Sequence, residues 1–566
     1  MVTRLRVHTQ RRSVALAASL LLCGCDDAAT SRQSQTLPDV AGITDASVAF
    51  PDADVPGQPL EPLSDEDWLV RASLDLRGFR PGAAERAAFA AAPNREQWVD
   101  NWLTSEDFAN RVGEWTALQF RTRIDAYPIG PGAFGLEEES GWHRALADEV
   151  PSLAEWVALN DLPWSTLLRA QHTFVDPVLV DVWPVEPVQV DGRIPVGTTA
   201  VRYTDGRPLA GVLSSTALWW RHGSTVENAN RGRANALSTA LLCDNYLSQP
   251  IDFPADIDIG DSEAIADAIQ TNSACVTCHA TLDPIASHLW GFMRGNGGDV
   301  EAVFYSPELE REWLRRDLRP PAWFDEPSST LNTLAEHMIR DPRFVSCAVQ
   351  RTWTQLMRRE PGEADRADLA VHRESFIASG LSIRTLVRSI VLGAAYEDRQ
   401  GSSEFGALAS PRGSSIASAE QLAITFEHLA GIRFLEVGRP LESLDRGVRS
   451  LVGASDRAVS AEPSVGLVLF QRRLAEVAAE RLVASPNPET ELGSLLSRMN
   501  LQNAPTAADI ATLLTGAHTR TYTESDAAVD ALVTLWFDAR GAVSSSSEAW
   551  AIMLTGILAD PLMLYY

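Results

Sequence analysis

Two cysteines separated by two residues and followed at once by a histidine constrain this chain more than any other feature. The five residues are Cys275-Val276-Thr277-Cys278-His279. In such a motif the two thiols add to the vinyl groups of haem, and the adjoining histidine reaches the iron from the same local turn. The motif therefore predicts one covalent haem c, attached through Cys275 and Cys278, with His279 as an iron ligand.

Two other structures are compatible with the same five residues. One is a disulfide between Cys275 and Cys278 beside an unrelated histidine. The other is half of a zinc site, but no second Cys-x-x-Cys or Cys-x-x-His pair completes a tetrahedral ligand set. The scarcity of cysteine elsewhere favours haem. We expect the adjoining Leu282-Asp283-Pro284-Ile285 to form a turn that gives apolar cover beside the ring.

The motif does not determine the second axial ligand of the iron. A methionine thioether raises the reduction potential, a second histidine lowers it, and an open position permits peroxide or oxygen chemistry. Met338 is the first candidate, because its distance downstream of the motif is similar to that of the methionine ligand in small monohaem cytochromes. Met293, His288 and His337 are alternatives, as is an iron without a second protein ligand. Each methionine, including Met357, is also compatible with core packing.

The first 25 residues have the layout of a bacterial export signal. Four arginines precede an apolar run over residues 13–22, which is too short to span a bilayer as a stable helix. The run ends in Leu22-Cys23-Gly24-Cys25, which resembles a lipobox with Cys25 as the lipidated residue. A plain secretory signal and an uncleaved anchor are the alternatives. The lipobox predicts a lipid-anchored protein of the cell envelope, periplasmic or on the outer surface.

The cysteine count suggests one disulfide. The chain has six cysteines, and export, lipidation and haem attachment together account for all except Cys243 and Cys347. These two lie on either side of the haem motif. In an oxidising compartment an even remainder suggests a disulfide. The alternative is two buried thiols that never meet, because sequence alone does not show whether their Cα atoms approach each other.

The net charge limits the possible partners. The chain has 48 lysine and arginine residues against 75 aspartate and glutamate residues, so its formal net charge is −27. Such a surface repels phosphate groups, and no basic stretch offsets it, so we expect no nucleic acid partner. Solubility alone accounts for the acidity, so the net charge does not identify a redox partner protein.

Chain length and the local composition of its segments indicate several domains and a mainly α fold. A chain of 566 residues is longer than one hydrophobic core usually supports. We expect a signal segment over 1–25, a disordered acidic tether over 26–62, an N-terminal helical domain over 63–172, a cytochrome-c-like haem domain over 173–404 and a C-terminal helical domain over 405–566.

Local signals mark several of these elements. Ser64 is a suitable N-cap for a first helix, and Ser418 forms a capping box with Gln421 in the C-terminal domain. Residues 173–215 are rich in valine, proline and glycine, which predicts a short β or extended segment with its prolines on edge strands. The Gly-, Ser- and Pro-rich residues 405–415 indicate the boundary before the last domain.

Several short blocks resemble, in the same order, those of a known group of proteins. The clearest is the stretch around the haem motif, from Ala274 to Ile285, and the others begin at Arg71, Gly211, Asn230, Leu242, Asp341 and Asp560. The chain resembles the planctomycete-type cytochrome-c-like proteins, multi-domain proteins of planctomycetes and myxobacteria with domains of unknown function. The resemblance covers most of residues 65–566 and implies a cytochrome-like exported protein, but no established reaction.

The chain departs from that pattern just after the motif. Ala286 stands where the family usually has glycine, and Trp290-Gly291-Phe292-Met293 stands where it has Glu-Asn-Phe-Asp. Met293 thus replaces a family aspartate, and a ligand role for it would be peculiar to this chain.

Three functions are compatible with these features. The first is electron transfer through a single haem, and the second is a haem peroxidase or oxidase. The third is a structural or binding helical lipoprotein without haem, which the large helical scaffold favours. We expect an electron carrier or a binding protein rather than an enzyme.

Overall fold

The computed structural model describes residues 63–124, 126–137, 141–248, 257, 260–293, 304–324, 326–397, 416–432, 464–518 and 520–565, and all of them belong to one compact unit, Asp52–Tyr566. The predicted signal segment with Cys25, the predicted tether and the predicted boundary at 404/405 lie outside the described residues. Within them, no helix is long and apolar enough to cross a membrane.

Helices make up most of the described chain, and the prediction of a mainly α fold is confirmed. The α-helices are α1 Asp65–Arg77, α2 Ala83–Ala91, α3 Arg95–Trp102, α4 Glu106–Phe120, α5 Trp142–Leu159, α6 Thr166–Arg169, α7 Pro177–Val180, α8 Thr216–Arg221, α9 Arg231–Leu242, α10 Ser262–Thr271, α11 Ser273–Ser287, α12 Glu312–Arg315, α13 Leu331–Arg340, α14 Pro342–Met357, α15 Arg366–Ala378, α16 Ile383–Val391, α17 Ala394–Glu397, α18 Ala419–Ala430, α19 Val465–Ala484, α20 Glu491–Leu496, α21 Ala507–His518, α22 Ala527–Ala542 and α23 Ser546–Leu558. Short 3-10 helices cover Pro131–Phe134, Gly211–Ser214, Tyr246–Ser248, Trp290–Phe292, Pro307–Leu309, Glu363–Asp365 and Pro561–Met563.

The predicted helix starts are confirmed. The Ser64 hydroxyl accepts a hydrogen bond from the backbone N–H of Asp67 at 3.1 Å and thereby caps α1. At the start of α18, the Ser418 hydroxyl accepts from the N–H of Gln421, whose side chain accepts from the N–H of Ser418. These caps satisfy N–H groups that the first turn of a helix leaves without intrahelical partners.

The valine- and proline-rich segment forms a small antiparallel sheet, as predicted. Its strands are β1 Thr173–Val175, β2 Val185–Pro187 and β3 Thr199–Tyr203, in the order β1-β3-β2. Because β2 is an edge strand, its proline does not interrupt a central ladder. A second, two-stranded sheet pairs β4 Ala322–Trp323 with β5 Glu326–Pro327.

Two large apolar clusters hold the described residues together. The main cluster contains residues between Leu63 and Tyr396, and the C-terminal cluster contains residues between Ile416 and Leu564 together with two residues of α1. Residues on both sides of position 172, among them Trp156 and Phe174, belong to the main cluster. The division between domains at 172/173 stays a prediction, but the two segments share one core in this structure.

Helix α1 joins the two clusters. By helical spacing Trp68, Leu69 and Ala72 fall on one apolar face of this helix, yet every residue from Trp68 to Arg77 is buried. Leu69 and Leu76 belong to the main cluster, whereas Val70 and Leu74 belong to the C-terminal cluster. Its charged side chains are therefore enclosed on all sides, and they require partners inside the protein.

Candidate functional site

The haem motif lies at the start of α11. The Asn272 side chain accepts a hydrogen bond from the N–H of Ala274 at 3.0 Å and begins the helix, which then runs without interruption to Ser287. Cys275, Cys278 and His279 are related as i, i+3 and i+4, so the helix brings all three to one face within a single turn. Two sulfurs and one imidazole are thereby placed side by side.

The two thiols lie where the helix emerges from the core. Cys275 and Cys278 are half-buried, whereas the helix is buried from Leu282 onward. Cys278 packs against the edge of the main cluster. The two cysteines remain thiols in the structure and do not form a disulfide with each other. Both thiols are thus partly exposed, and that of Cys278 lies beside the main apolar cluster.

The His279 imidazole is held from one side. Its Nδ1 lies 2.8 Å from Oδ1 of Asp283, one turn further along α11. Burial alone would raise the pKa of the Asp283 carboxyl, but hydrogen bonds from His279 and Arg231 outweigh burial and lower that pKa below its usual value. Because an ionised carboxylate only accepts hydrogen bonds, this contact favours the tautomer with the proton on Nδ1, and in a neutral imidazole of that tautomer Nε2 carries the lone pair. About a fifth of the His279 side chain is exposed.

The carboxylate of Asp283 is itself held by an arginine. Nε of Arg231 donates to Oδ1 at 2.7 Å and Nη2 donates to Oδ2 at 3.1 Å, which is a two-pronged guanidinium–carboxylate pair. Arg231 is the first residue of α9, which packs against α11. Asp283 is 4% exposed, so this pair is shielded from water on the carboxylate side.

Sequence reasoning missed both residues, for different reasons. Asp283 lies four residues after His279, and that helical spacing was a usable signal. It was missed because residues 282–285 were interpreted as a turn. That prediction is wrong, because α11 continues through Pro284 to Ser287 and the Asp283 side chain binds His279 and Arg231. Arg231 lies 52 residues away from Asp283 in the chain, and no local pattern links them.

The candidate second axial ligands lie in different environments. Met338 is completely buried on α13, within the main cluster. Met293 is nearly buried in a small separate cluster with Ala229 and Trp290. The burial of Met338 matches ordinary core packing, and its role as a ligand stays a prediction.

The two histidine alternatives already have polar partners. In His288, Nδ1 lies 2.9 Å from the carbonyl oxygen of Pro284 and Nε2 lies 2.8 Å from Oγ of Ser328. Burial lowers the pKa of His288 to about 4. Nδ1 of His337 lies 3.2 Å from Oε2 of Glu326. Coordination by His288 would require one of its two hydrogen bonds to break.

A disulfide joins Cys243 and Cys347, whose Cα atoms are 5.2 Å apart. Cys243 directly follows α9, and Cys347 lies on α14. The bridge therefore ties the end of the helix that carries Arg231 to a helix of the main cluster.

The donor set fits the group that the motif implies. Among the described residues, no cluster of three or more His, Cys, Asp and Glu side chains is arranged to hold a bare metal ion. Haem iron does not need such a cluster, because the porphyrin supplies its equatorial ligands and the protein only the axial ones. Cys275 and Cys278 would hold the ring covalently, and His279 would occupy one axial position.

Comparison of the chain with protein-family models, curated proteins and solved structures found no match.

Proposed function

We propose that this protein is an exported, lipid-anchored c-type haem protein that transfers single electrons in the cell envelope. The observation that carries the proposal is the shared helical face of Cys275, Cys278 and His279, where the contact between Nδ1 of His279 and Asp283 leaves the other ring nitrogen for a metal. When bound, the haem supplies one-electron redox chemistry. The export signal and the lipidation of Cys25 are supported by the sequence alone.

Each residue of the site has a defined part in this proposal. The thiols of Cys275 and Cys278 bind the ring and prevent its loss. The imidazole of His279 coordinates the iron, and Asp283 holds that imidazole in one tautomer and one orientation. The buried second half of α11 gives the site a rigid base, because its side chains pack into the core.

The decisive experiment is intact mass and a reduced-haem spectrum of the exported protein. The protein is produced in a host with a haem-attachment system, beside Cys278→Ser and the matched control Thr277→Ser, which changes an exposed residue of the same helical turn. We expect covalent haem in the wild type and in the control, and a loss of two-bond attachment in Cys278→Ser. A wild-type protein without haem would contradict the proposal and leave a structural or binding lipoprotein.

The spectrum also separates electron transfer from haem catalysis. A six-coordinate, low-spin spectrum supports electron transfer, whereas a five-coordinate spectrum with peroxide-dependent turnover supports a peroxidase or oxidase. For the second axial position we propose Met338. Met338→Leu should convert the spectrum to five-coordinate, and Met357→Leu, another buried methionine of the main cluster, should leave it unchanged.

A further inference from the structure

We infer that Arg231 and Asp283 act together as positioning residues that set the reduction potential of the haem through His279. The inference rests on the proposed function, and it assigns a role to two residues outside the Cys-x-x-Cys-His motif. Neither residue belongs to the motif, and both would act on the iron only through the imidazole of His279.

The geometry places the two residues in series with His279. Oδ1 of Asp283 lies 2.8 Å from Nδ1 of His279 and 2.7 Å from Nε of Arg231, so one oxygen serves both groups. The second oxygen, Oδ2, accepts from Nη2 of Arg231 at 3.1 Å. The guanidinium therefore competes with the imidazole for the same negative charge.

The two residues should influence the iron in opposite directions. A carboxylate that accepts a hydrogen bond from Nδ1–H makes the imidazole a stronger electron donor, which stabilises the oxidised iron and lowers the potential. A guanidinium bound to that carboxylate withdraws part of its charge and weakens this effect. Arg231 thus raises the potential that Asp283 alone would give.

The electron balance of the measured step is simple. A chemical reductant such as dithionite, working through a redox mediator, gives one electron to the ferric iron, which becomes ferrous. No bond to His279 forms or breaks, and the Nδ1 proton stays on the imidazole. The difference between variants is then a difference in how far each oxidation state is stabilised.

A purely structural salt bridge is the competing explanation, since the pair also ties α9 to α11. Loss of either residue would then loosen the same contact, and both variants would change the site in the same sense. The sign of the two shifts therefore distinguishes potential tuning from simple anchoring.

The experiment measures the midpoint potential of Asp283→Asn and Arg231→Gln in the haem-loaded full chain. Asparagine keeps the shape and one acceptor oxygen but removes the charge. We expect the potential to rise in Asp283→Asn and to fall in Arg231→Gln, each by about tenfold in the one-electron equilibrium, which is about 59 mV. Arg231→Lys keeps a cation and should stay closer to the wild type.

Controls remove the effect of net charge and of incomplete loading. Asp267→Asn and Arg366→Gln make the same charge changes at exposed positions. They should change the one-electron equilibrium constant by no more than about twofold. Intact mass reports covalent haem in every variant. If Asp283→Asn does not fold or load, the comparison of Arg231→Gln with Arg231→Lys decides the matter.

Two results would overturn the inference. Shifts of the same sign, or no shift in either variant at wild-type haem content, would leave the pair a structural anchor while the proposed function stands. A wild-type protein without covalent haem would remove both the inference and the proposed function.

Discussion

Asp75 of α1 should be one of the most costly single residues to neutralise in this protein. Its side chain is 1% exposed. Oδ2 accepts a hydrogen bond from Oη of Tyr396 at 2.7 Å, and Oδ1 accepts from Nη2 of Arg358 at 3.1 Å. Nε of Arg71 lies 3.9 Å away. The carboxylate thus balances two guanidinium groups that are themselves almost completely buried.

Asp75→Asn keeps the size of the side chain and removes this balance. One amide oxygen can still accept a hydrogen bond, but the amide NH2 group now faces a donor. A hydrogen bond to a charged group contributes about 1.5–3 kcal/mol, and removing one partner from a buried ion pair costs about 3–5 kcal/mol. We therefore expect the free energy of unfolding to fall by about 3–5 kcal/mol.

The loss of stability in Asp75→Asn should extend to the C-terminal cluster as well. Nη2 of Arg358 also donates to Oε1 of Gln421 at 3.3 Å, and Nε2 of Gln421 donates to the carbonyl oxygen of Leu74 at 2.8 Å. Gln421 lies on α18, so the network that contains Asp75 connects α1 and α14 to the C-terminal helices. Loss of the carboxylate weakens this connection together with the main cluster.

Guanidinium chloride unfolding followed by tryptophan fluorescence and helical circular dichroism tests this prediction. The matched control is Asp65→Asn on the same helix, whose carboxylate is 57% exposed in its ion pair with Arg95 and should contribute about 1 kcal/mol or less. If unfolding has more than one transition, the first midpoint should fall. A value for Asp75→Asn within about 1 kcal/mol of the control would refute the reasoning.

Two further predictions concern acid and reductant. Because the folded-state pKa of His288 is about 4, below the ordinary 6.5, the unfolded chain takes up a proton between these values that the folded chain does not, and stability falls by about 3 kcal/mol as the pH drops from 6.5 to 4. His288→Gln should remove this part of the pH dependence in unfolding measured at pH 7, 5.5 and 4, and an unchanged slope would argue against a buried neutral imidazole. The Cys243–Cys347 bridge closes a separation of 104 residues, so Cys243→Ala combined with Cys347→Ala should lower stability by about 2–5 kcal/mol. Added reductant should lower the wild type to the level of that double variant and leave the variant itself unchanged.

Features that depend on neighbours along the chain could be predicted from the sequence. The caps at Ser64 and Ser418 involve residues three positions apart, so composition and spacing contain the whole interaction. The edge position of the proline in β2 follows from its missing N–H group. The mainly α fold follows from the helical periodicity of many separate segments.

Features that depend on side-chain burial could not be predicted in this way. Helical spacing places Trp68, Leu69 and Ala72 on one apolar face, yet α1 is buried on all sides from Trp68 to Arg77. Charged residues are expected at the surface unless they find partners, and the hydrogen-bond partners Arg358 and Tyr396 of the Asp75 carboxylate lie more than 280 residues further along the chain. The shared core across position 172 could not be predicted for the same reason, because side chains pack together whatever the local amino-acid composition of their segments.

The same distinction between local and tertiary features applies to the candidate site. By itself, the sequence determined the motif and the face that it forms, because helical spacing alone brings Cys275, Cys278 and His279 together. Only the tertiary structure decided that the carboxylate of Asp283 is itself held, since the packing of α9 against α11 places Arg231 on it. The physical reason is that local hydrogen bonds and helical periodicity act over a few residues, whereas burial and charge pairing act between segments that meet only in the folded chain.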